Sequence, residues 1–381
     1  MTVRVNVEPA LYAWASERSR LGVEELLHKF PKLRQWESGE HTPTLKQLES
    51  FARATRTPVG YFFLPEPPVE EVPIPDFRTI GDEQVARPSP NLLDTIFECQ
   101  QRQDWFREYA LGLGLEPIPH VGSLTVATPV GHAASVMSEA LTFSVGQRGS
   151  NWSDAFTYLR DQAEEVGILV MVSGVVGSNT HRKLDPQEFR GFALVDPIAP
   201  LVFVNGADTK AAQIFTLAHE LAHIWLGETG LSDADLGSAP SIAAERWCNE
   251  VAAELLVPIE ALRTEFAPAA DLTAELNRLA RRFKASTLVL LRRVHEAGFL
   301  AWDDYRKAYR AELARVMGLI VGAGDGGNFY NTQPVRVSKL FARSVIASTL
   351  EGQTLHTDAF RMLGFKKIST FHELSERLGI T

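Results

Sequence analysis

Cysteine is scarce in this chain of 381 residues, since Cys99 and Cys248 are the only two. Two cysteines cannot form a disulfide framework, which favours a reducing compartment, the cytoplasm. Long apolar runs are also missing: residues 167–177 form the longest candidate, well short of the about 18 residues that a membrane span requires. The first six residues, MTVRVN, lack the apolar core of a signal peptide. We therefore expect a cytoplasmic protein that has no membrane partner.

Charged residues are plentiful but unevenly distributed. With 45% hydrophobic and 22% charged residues, the composition is that of a globular protein and excludes a collagen-like or disordered chain. Of the net charge of −9, residues 1–64 contribute +2, residues 328–381 contribute +3 and the middle contributes −14. A chain of this length is expected to contain two or three domains. The basic ends and the acidic centre indicate that these domains have separate roles.

The N-terminal part of the chain reads as a small helical domain, residues 1–64. Apolar residues recur at helical spacing over residues 8–63, and Thr44 is predicted to cap a helix over 45–54. A proline-rich stretch follows, beginning with PEPPVEEVPIP at 65–75 and continuing to Pro90. So many prolines exclude a helix or a central strand, so residues 65–90 are predicted to be an extended linker.

The middle of the chain, residues 91–315, is predicted to be an α+β domain with a small sheet and packed helices. Apolar runs bounded by glycine, proline or aspartate predict three strands, at 167–173, 189–196 and 200–205. Amphipathic or apolar helical patterns surround them, at 91–116, 152–166, 208–227, 241–256, 271–283 and 286–297. The glycine-rich residues 322–327 (GAGDGG) are interpreted as a hinge, because no strand leads into them and no Lys-Ser/Thr follows. The tail, 328–381, is predicted to be a small mixed module of unknown role.

One helix carries the motif that points to chemistry, His-Glu-x-x-His at residues 219–223. Two residues four apart on a helix differ by only about 40° in direction and about 6 Å in height, so His219 and His223 face one point. This is the geometry that two nitrogen ligands of a tetrahedral zinc ion require. Glu220, beside the first histidine, is positioned to deprotonate a water molecule at that zinc.

A catalytic zinc also needs a third protein ligand and an open position. The candidates that follow the motif are Glu228, Asp233, Asp235, Glu245, Cys248, Glu250 and Glu254. On the helix predicted at 241–256, apolar and small residues lie within about 80° on either side of Glu245, whereas Glu250 and Glu254 fall on the opposite, solvated arc. A carboxylate in the middle of an apolar face needs a partner, because a buried unpaired charge is costly. Glu245 is therefore the predicted third ligand.

Two further residues of this helix keep alternative roles. Cys248 lies at the edge of the same face and is the reserve ligand, although a small buried cysteine is commonly a packing residue. Asn249, one turn beyond Glu245, is predicted either to support a ligand from behind or to form a hydrogen bond between helices.

Over roughly residues 150–300 the sequence resembles the ImmA/IrrE-type zinc metallopeptidases. The resemblance rests on residues 203–205 (FVN), 215–223 (FTLAHELAH) and 245–258 (ERWCNEVAAELLVP). It implies a zincin-like fold in which His219, His223 and Glu245 bind zinc and Glu220 is the catalytic base. Members of this family cleave helix-turn-helix repressors and thereby derepress genes. The tail also resembles the C-terminal segments of longer members.

The N-terminal domain resembles a Cro/repressor-type (XRE-type) helix-turn-helix over residues 33–52 and 58–63. Phe30 and Pro31 stand where the usual glycine-containing turn would be, which shortens the start of the recognition helix, whose first residues would contact bases. The net charge of +2 gives little attraction to phosphate. If the domain binds DNA, Lys32, Arg34 and Lys46 are the expected phosphate contacts. The alternative is a protein-docking or dimerisation domain.

The sequence supports two hypotheses about function. The first is a zinc endopeptidase that regulates transcription by cleaving a repressor-like or partner protein, held by one of the terminal modules. The second is a non-catalytic regulator or antitoxin that retains a zinc site and binds a cognate toxin and operator DNA through its ends.

Overall fold

The computed structural model describes residues 3–76, 87–232, 243–319 and 329–380. These residues divide into two compact units. The N-terminal unit contains the described residues up to Pro73 together with residues 87–97, and the larger unit contains residues 74–76 and the described residues from Glu98 onward. Within these ranges no helix is long and apolar enough to cross a membrane. Asp233, Asp235 and the predicted hinge at 322–327 lie outside the described residues.

The N-terminal unit is built from short helices around an aromatic core. The helices are α1 (Pro9–Ser19), α2 (Val23–Lys29), α3 (Leu33–Glu37) and α4 (Leu45–Ala54), followed by a 3-10 turn at Val59–Phe63. Trp36, Phe51 and Phe62 are buried together in the core. The predicted cap is confirmed: the Thr44 hydroxyl accepts from the Gln47 backbone N–H at 3.2 Å, and the Gln47 side chain accepts from the Thr44 N–H at 2.9 Å.

The third helix of this unit is unusually short. Helix α3 has five residues, of which Leu33 and Trp36 are buried, so few side chains are left to face outward. The predicted phosphate contacts Lys32, Arg34 and Lys46 are exposed. A recognition helix reads bases with residues near its N-terminus, and that part of the helix is reduced here. DNA binding by residues 1–64 therefore stays a prediction.

The larger unit contains a four-stranded sheet with strands β1 (Leu169–Ser173), β2 (Gly191–Leu194), β3 (Leu201–Asn205) and β4 (Gly230–Ser232). The strand order is β1-β3-β2-β4, with β1 and β3 parallel and β2 antiparallel to both of its neighbours. Every residue of β1, β2 and β3 is buried, which is why these strands read as continuous apolar runs. The three predicted strands are confirmed; β4 was not predicted, because three residues give no periodic signal.

Helices form most of the other elements between residues 90 and 319, and the α+β prediction is confirmed. They are α5 (Pro90–Gly112), α6 (Val130–Ala140), α7 (Trp152–Glu165), α8 (Lys210–Leu226), α9 (Ala243–Leu256), α10 (Ile259–Glu265), α11 (Leu272–Phe283), α12 (Thr287–Glu296) and α13 (Trp302–Leu319). Side chains from β1 and β3, including Val170, Val172 and Val204, share one hydrophobic core with α7, α8, α9, α11 and α12. Helix α8 crosses this core, and its residues from Gln213 to Trp225 are buried.

A buried guanidinium, that of Arg148, connects the ends of two of these helices. Arg148 donates through Nη2 to the carbonyl of Leu255 at 2.8 Å and through Nη1 to those of Phe283, at 2.7 Å, and Leu256. These carbonyls lie in the last turns of α9 and α11, where intrahelical donors run out. The cation therefore caps two helix ends, one of which belongs to the helix that carries Glu245.

Replacing Arg148 with methionine is expected to lower the free energy of unfolding by about 3 kcal/mol, because three buried carbonyls lose their donor at about 1 kcal/mol or more each. Urea unfolding followed by circular dichroism measures the change. Arg281→Met, at an exposed position, is the matched control and should shift the curve little. An equal, small effect of both substitutions would contradict the capping role of Arg148.

The C-terminal segment corrects one prediction. Its described residues form helices α14 (Phe329–Val337), α15 (Lys339–Leu350), α16 (His356–Leu363) and α17 (Ile368–Arg377), with no strand among residues 329–380. The predicted mixed module was wrong in this respect: β-branched Val345 and Ile346 lie buried in a helix, since packing overrides their local preference. Helix α15 is fixed to α7, because the Lys339 backbone N–H donates to the Glu164 carboxylate at 2.9 Å.

Candidate metal centre

Helix α8 places the His-Glu-x-x-His residues in the interior of the larger unit. The Thr209 hydroxyl caps its start by accepting from the Ala212 N–H at 3.3 Å, and Gly227 ends it with a φ of +80°. This is the left-handed conformation that glycine adopts without strain. Between these caps His219, Glu220 and His223 are completely buried. Three polar side chains inside an apolar helix need partners within the protein or in a bound ligand.

Glu245 meets the two histidines from helix α9. It is buried in the first turn of α9, 3% exposed, as its place on an apolar face predicts. Its Oε1 lies 2.9 Å from His223 Nε2, and its Oε2 lies 3.3 Å from His219 Nε2. The two helices pack against each other along this contact. The structure thus brings together the three residues that the sequence selected as ligands.

The three side chains have the arrangement of a metal site. The Nε2 atoms of His219 and His223 are 3.1 Å apart, and all three ligand atoms lie within 4.8 Å of one another. Donors bound at about 2.0–2.2 Å around a tetrahedral zinc ion are separated by about 3.3 Å. The closest contacts, 3.1 Å between the imidazoles and 2.9 and 3.3 Å to the two Glu245 oxygens, are near that spacing. Two imidazoles and a carboxylate are also a donor set that catalytic zinc sites use.

The electrostatics favour the ligand forms of these residues. Burial alone would raise the pKa of Glu245, but the neighbouring imidazoles of His219 and His223 outweigh it and hold the pKa well below its ordinary value. Burial lowers the pKa of His223, and His219 adds to this effect. Glu245 is therefore ionised and His223 neutral, which are the protonation states in which such residues bind a metal.

Glu220 lies against the sheet at a position that the sequence did not single out, Gly191. A Cβ atom placed on Gly191 would lie 2.9 Å from Glu220 Oε1, 2.6 Å from Thr216 Cγ2 and 2.8 Å from the Phe203 carbonyl oxygen. The missing side chain at the start of β2 therefore makes the space that the Glu220 carboxylate occupies. A glycine inside a strand commonly marks such a close approach, and that was the signal available in the sequence.

Of the other candidates for the third ligand, those that the structure describes do not join the cluster. Cys248 is buried, but its sulfur is not among the ligand atoms that converge, and burial raises the pKa of its thiol well above the ordinary value. Glu254 pairs with Arg293 instead, and Glu228 is exposed. Glu250 is half-buried and outside the group. A protonated thiol is a poor ligand compared with an ionised carboxylate.

The contacts predicted for Asn249 do not occur among the described residues. It is buried, and neither its amide nitrogen nor its amide oxygen has a hydrogen-bond partner among the described residues. The Nδ1 atom of His219 is likewise buried without a partner there. Buried polar atoms without a hydrogen bond lower the stability of the fold. Neither a ligand-supporting contact nor an inter-helix hydrogen bond of Asn249 is present among these residues.

Comparison with known families agrees with this geometry. Residues 163–295, which contain all four site residues, match the family model of peptidase family M78, described as IrrE N-terminal-like domain. Residues 337–377 match a domain of unknown function, DUF8813. No curated protein was found to match the chain. Residues 163–295 are thus similar to this metallopeptidase family, and within them His219, His223 and Glu245 could hold a metal ion.

Proposed function

We propose that this protein is a zinc-dependent endopeptidase that regulates transcription by cleaving a repressor-like or partner protein. The observation that carries the proposal is the buried convergence of His219, His223 and Glu245, with Glu220 in the same turn of α8 as the first histidine. Three protein ligands with one open position are the composition of a catalytic zinc site, whereas structural sites use four protein ligands. Within the described residues no fourth His, Cys, Asp or Glu joins the group.

Each residue has a defined part in peptide hydrolysis. A zinc ion bound at this site would polarise the scissile carbonyl and make a water molecule acidic near neutral pH. Glu220 accepts the proton of the attacking water and then donates it to the leaving amine. Gly191 lets the Glu220 carboxylate lie against the sheet, and Arg148 caps the C-terminal end of α9, whose first turn carries Glu245.

The proposal is tested by incubating the purified, zinc-loaded protein with repressors encoded near its gene and mapping new termini by mass spectrometry. A single cleavage that disappears on chelation and returns with added Zn²⁺ is expected. A non-catalytic regulator or antitoxin would give no new terminus, and its binding to a toxin or to operator DNA would not change on chelation. That result would overturn the proposal.

Gly191→Ala is expected to lower the peptidase rate on the order of 100-fold, because the added methyl group displaces Glu220 by a fraction of an ångström or more. Metal content, measured by atomic emission, should stay unchanged, since no ligand is touched. Gly131→Ala is the matched control: a Cβ there meets no atom within 4 Å. Adding Thr216→Ser, which removes the nearest atom, should restore part of the rate. Unchanged activity of Gly191→Ala would contradict the role assigned to this glycine.

A further inference from the structure

The outer edge of the sheet beside the metal centre is occupied by the chain itself. On its inner side β4 pairs with β2, where Ser232 lies opposite Gly191 and Leu231 opposite Phe192. On its outer side the Leu231 N–H donates to the Pro75 carbonyl at 2.9 Å, and Asp76 forms an isolated parallel bridge with Leu231. Residues 74–76, here called the strap, therefore cover the outer edge of β4 at Leu231.

The strap is held in place by a buried side chain and by its prolines. Ile74 is 7% exposed, whereas Val69 in the same proline-rich stretch is 88% exposed. Pro73 and Pro75 flank Ile74, and a residue that precedes proline is restricted to extended conformations. The backbone of Ile74 therefore has few conformations to lose when the strap pairs with β4. Since proline has no backbone N–H, Pro75 contributes only an acceptor.

The edge that the strap covers lies near the catalytic glutamate. Gly191 lies against Glu220 and pairs with Ser232 of β4. Neighbouring strands are about 4.8 Å apart, so a chain added to β4 runs within about 10 Å of Gly191. A free strand edge binds an extended polypeptide through main-chain hydrogen bonds. The strap takes the Leu231 N–H, a donor that such a polypeptide would use.

We propose that the strap is an autoinhibitory segment that occupies the edge of β4 at which an extended polypeptide substrate pairs. This inference rests on the proposed peptidase function. Among the described residues the strap meets β4 at the isolated bridge between Asp76 and Leu231, which runs in the parallel direction, the less stable of the two pairings. An unfolded or extended substrate segment with several free N–H groups, running antiparallel, can therefore displace it. A folded protein without such a segment cannot.

The test uses the full-length protein and fluorescein-labelled casein as an unstructured probe. In a metal-loaded Glu220→Gln background, which avoids cleavage, Ile74→Ala is expected to bind casein at least about fivefold more tightly, because the open form becomes more populated. Its Leu231 amide should exchange with deuterium faster, since the bond to Pro75 is lost. Val69→Ala, the exposed control, should change neither quantity. Ile74→Val should give a smaller change of the same sign if Ile74→Ala folds poorly.

The possible outcomes separate this inference from the proposed function. Two results would overturn the proposed autoinhibitory role of the strap. One is unchanged casein binding by both Ile74 variants. The other is a wild-type Leu231 amide that exchanges as fast as an exposed amide. If Ile74→Ala binds casein more tightly, but no zinc-loaded protein with Glu220 intact cleaves casein or the repressors encoded near its gene, the strap proposal is supported. The same result contradicts the proposed peptidase function. A peptide of residues 69–76 should weaken casein binding by Ile74→Ala, and a scrambled peptide should not.

Discussion

Glu220→Gln is expected to lower the rate of substrate cleavage by about 10²–10⁴-fold, the usual contribution of a general acid-base group. Glutamine has nearly the same size and shape as glutamate, so it should fit the space beside Gly191 without moving α8. It cannot accept a proton from water, however. The bound metal should remain, because the ligand atoms belong to His219, His223 and Glu245. Single-turnover cleavage and metal analysis of the same preparation measure both quantities.

The control for this variant is Glu228→Gln, which removes a carboxylate just after α8 at an exposed position. A change in local charge alone would affect both variants, whereas loss of the proton acceptor affects only Glu220→Gln. Equal cleavage by the wild type and Glu220→Gln, with metal present in both, would mean that Glu220 is not the base. A Glu220→Gln protein that has lost its metal would instead assign the residue to metal binding.

The sequence predicted the convergence of His219, His223 and Glu245 because helix geometry is local. Spacing alone placed His219 and His223 on one side of α8, and the apolar face of α9 selected Glu245 although the partner helix could not be seen. Asn249 lies on the same face, but its hydrogen-bond partners depend on which helices pack there, so its predicted contacts were not found. The position of a residue on a helix predicts the direction of its side chain but not its distance to atoms of another helix.

The features that the sequence did not predict arise from contacts between distant segments. Strand β4 is three residues long and exists because Gly230 and Leu231 pair with β2, far away in the chain. The strap looks like part of an ordinary linker, and only its bridge to Leu231 distinguishes Asp76 from the prolines before it. The sequence shows that Gly191 is a glycine within a predicted strand. That it leaves space for Glu220 depends on how closely α8 approaches the strand. Such pairings are fixed by the tertiary fold and leave little local pattern.

Glu245→Ala is expected to reduce zinc affinity by more than about 100-fold, because losing even a residue that merely supports a ligand costs 10–100-fold. The remaining imidazoles of His219 and His223 supply two donors, and a stable zinc site needs at least three. Competition with a fluorescent zinc chelator measures the affinity. Excess zinc should raise the melting temperature of the wild type, since a ligand that binds only the folded state stabilises it. The same excess should leave Glu245→Ala nearly unchanged.

Cys248→Ala separates the two ligand candidates on α9. Cys248 is buried three residues after Glu245, yet its sulfur lies outside the converging group and burial raises the pKa of its thiol. Removing it should therefore cost some packing stability but leave zinc affinity within about twofold of the wild type, since the donor atoms are unchanged. The opposite pattern, with zinc retained by Glu245→Ala and lost by Cys248→Ala, would make Cys248 the third ligand. The carboxylate would then be a buried charge paired only with histidine, an arrangement that is costly to bury.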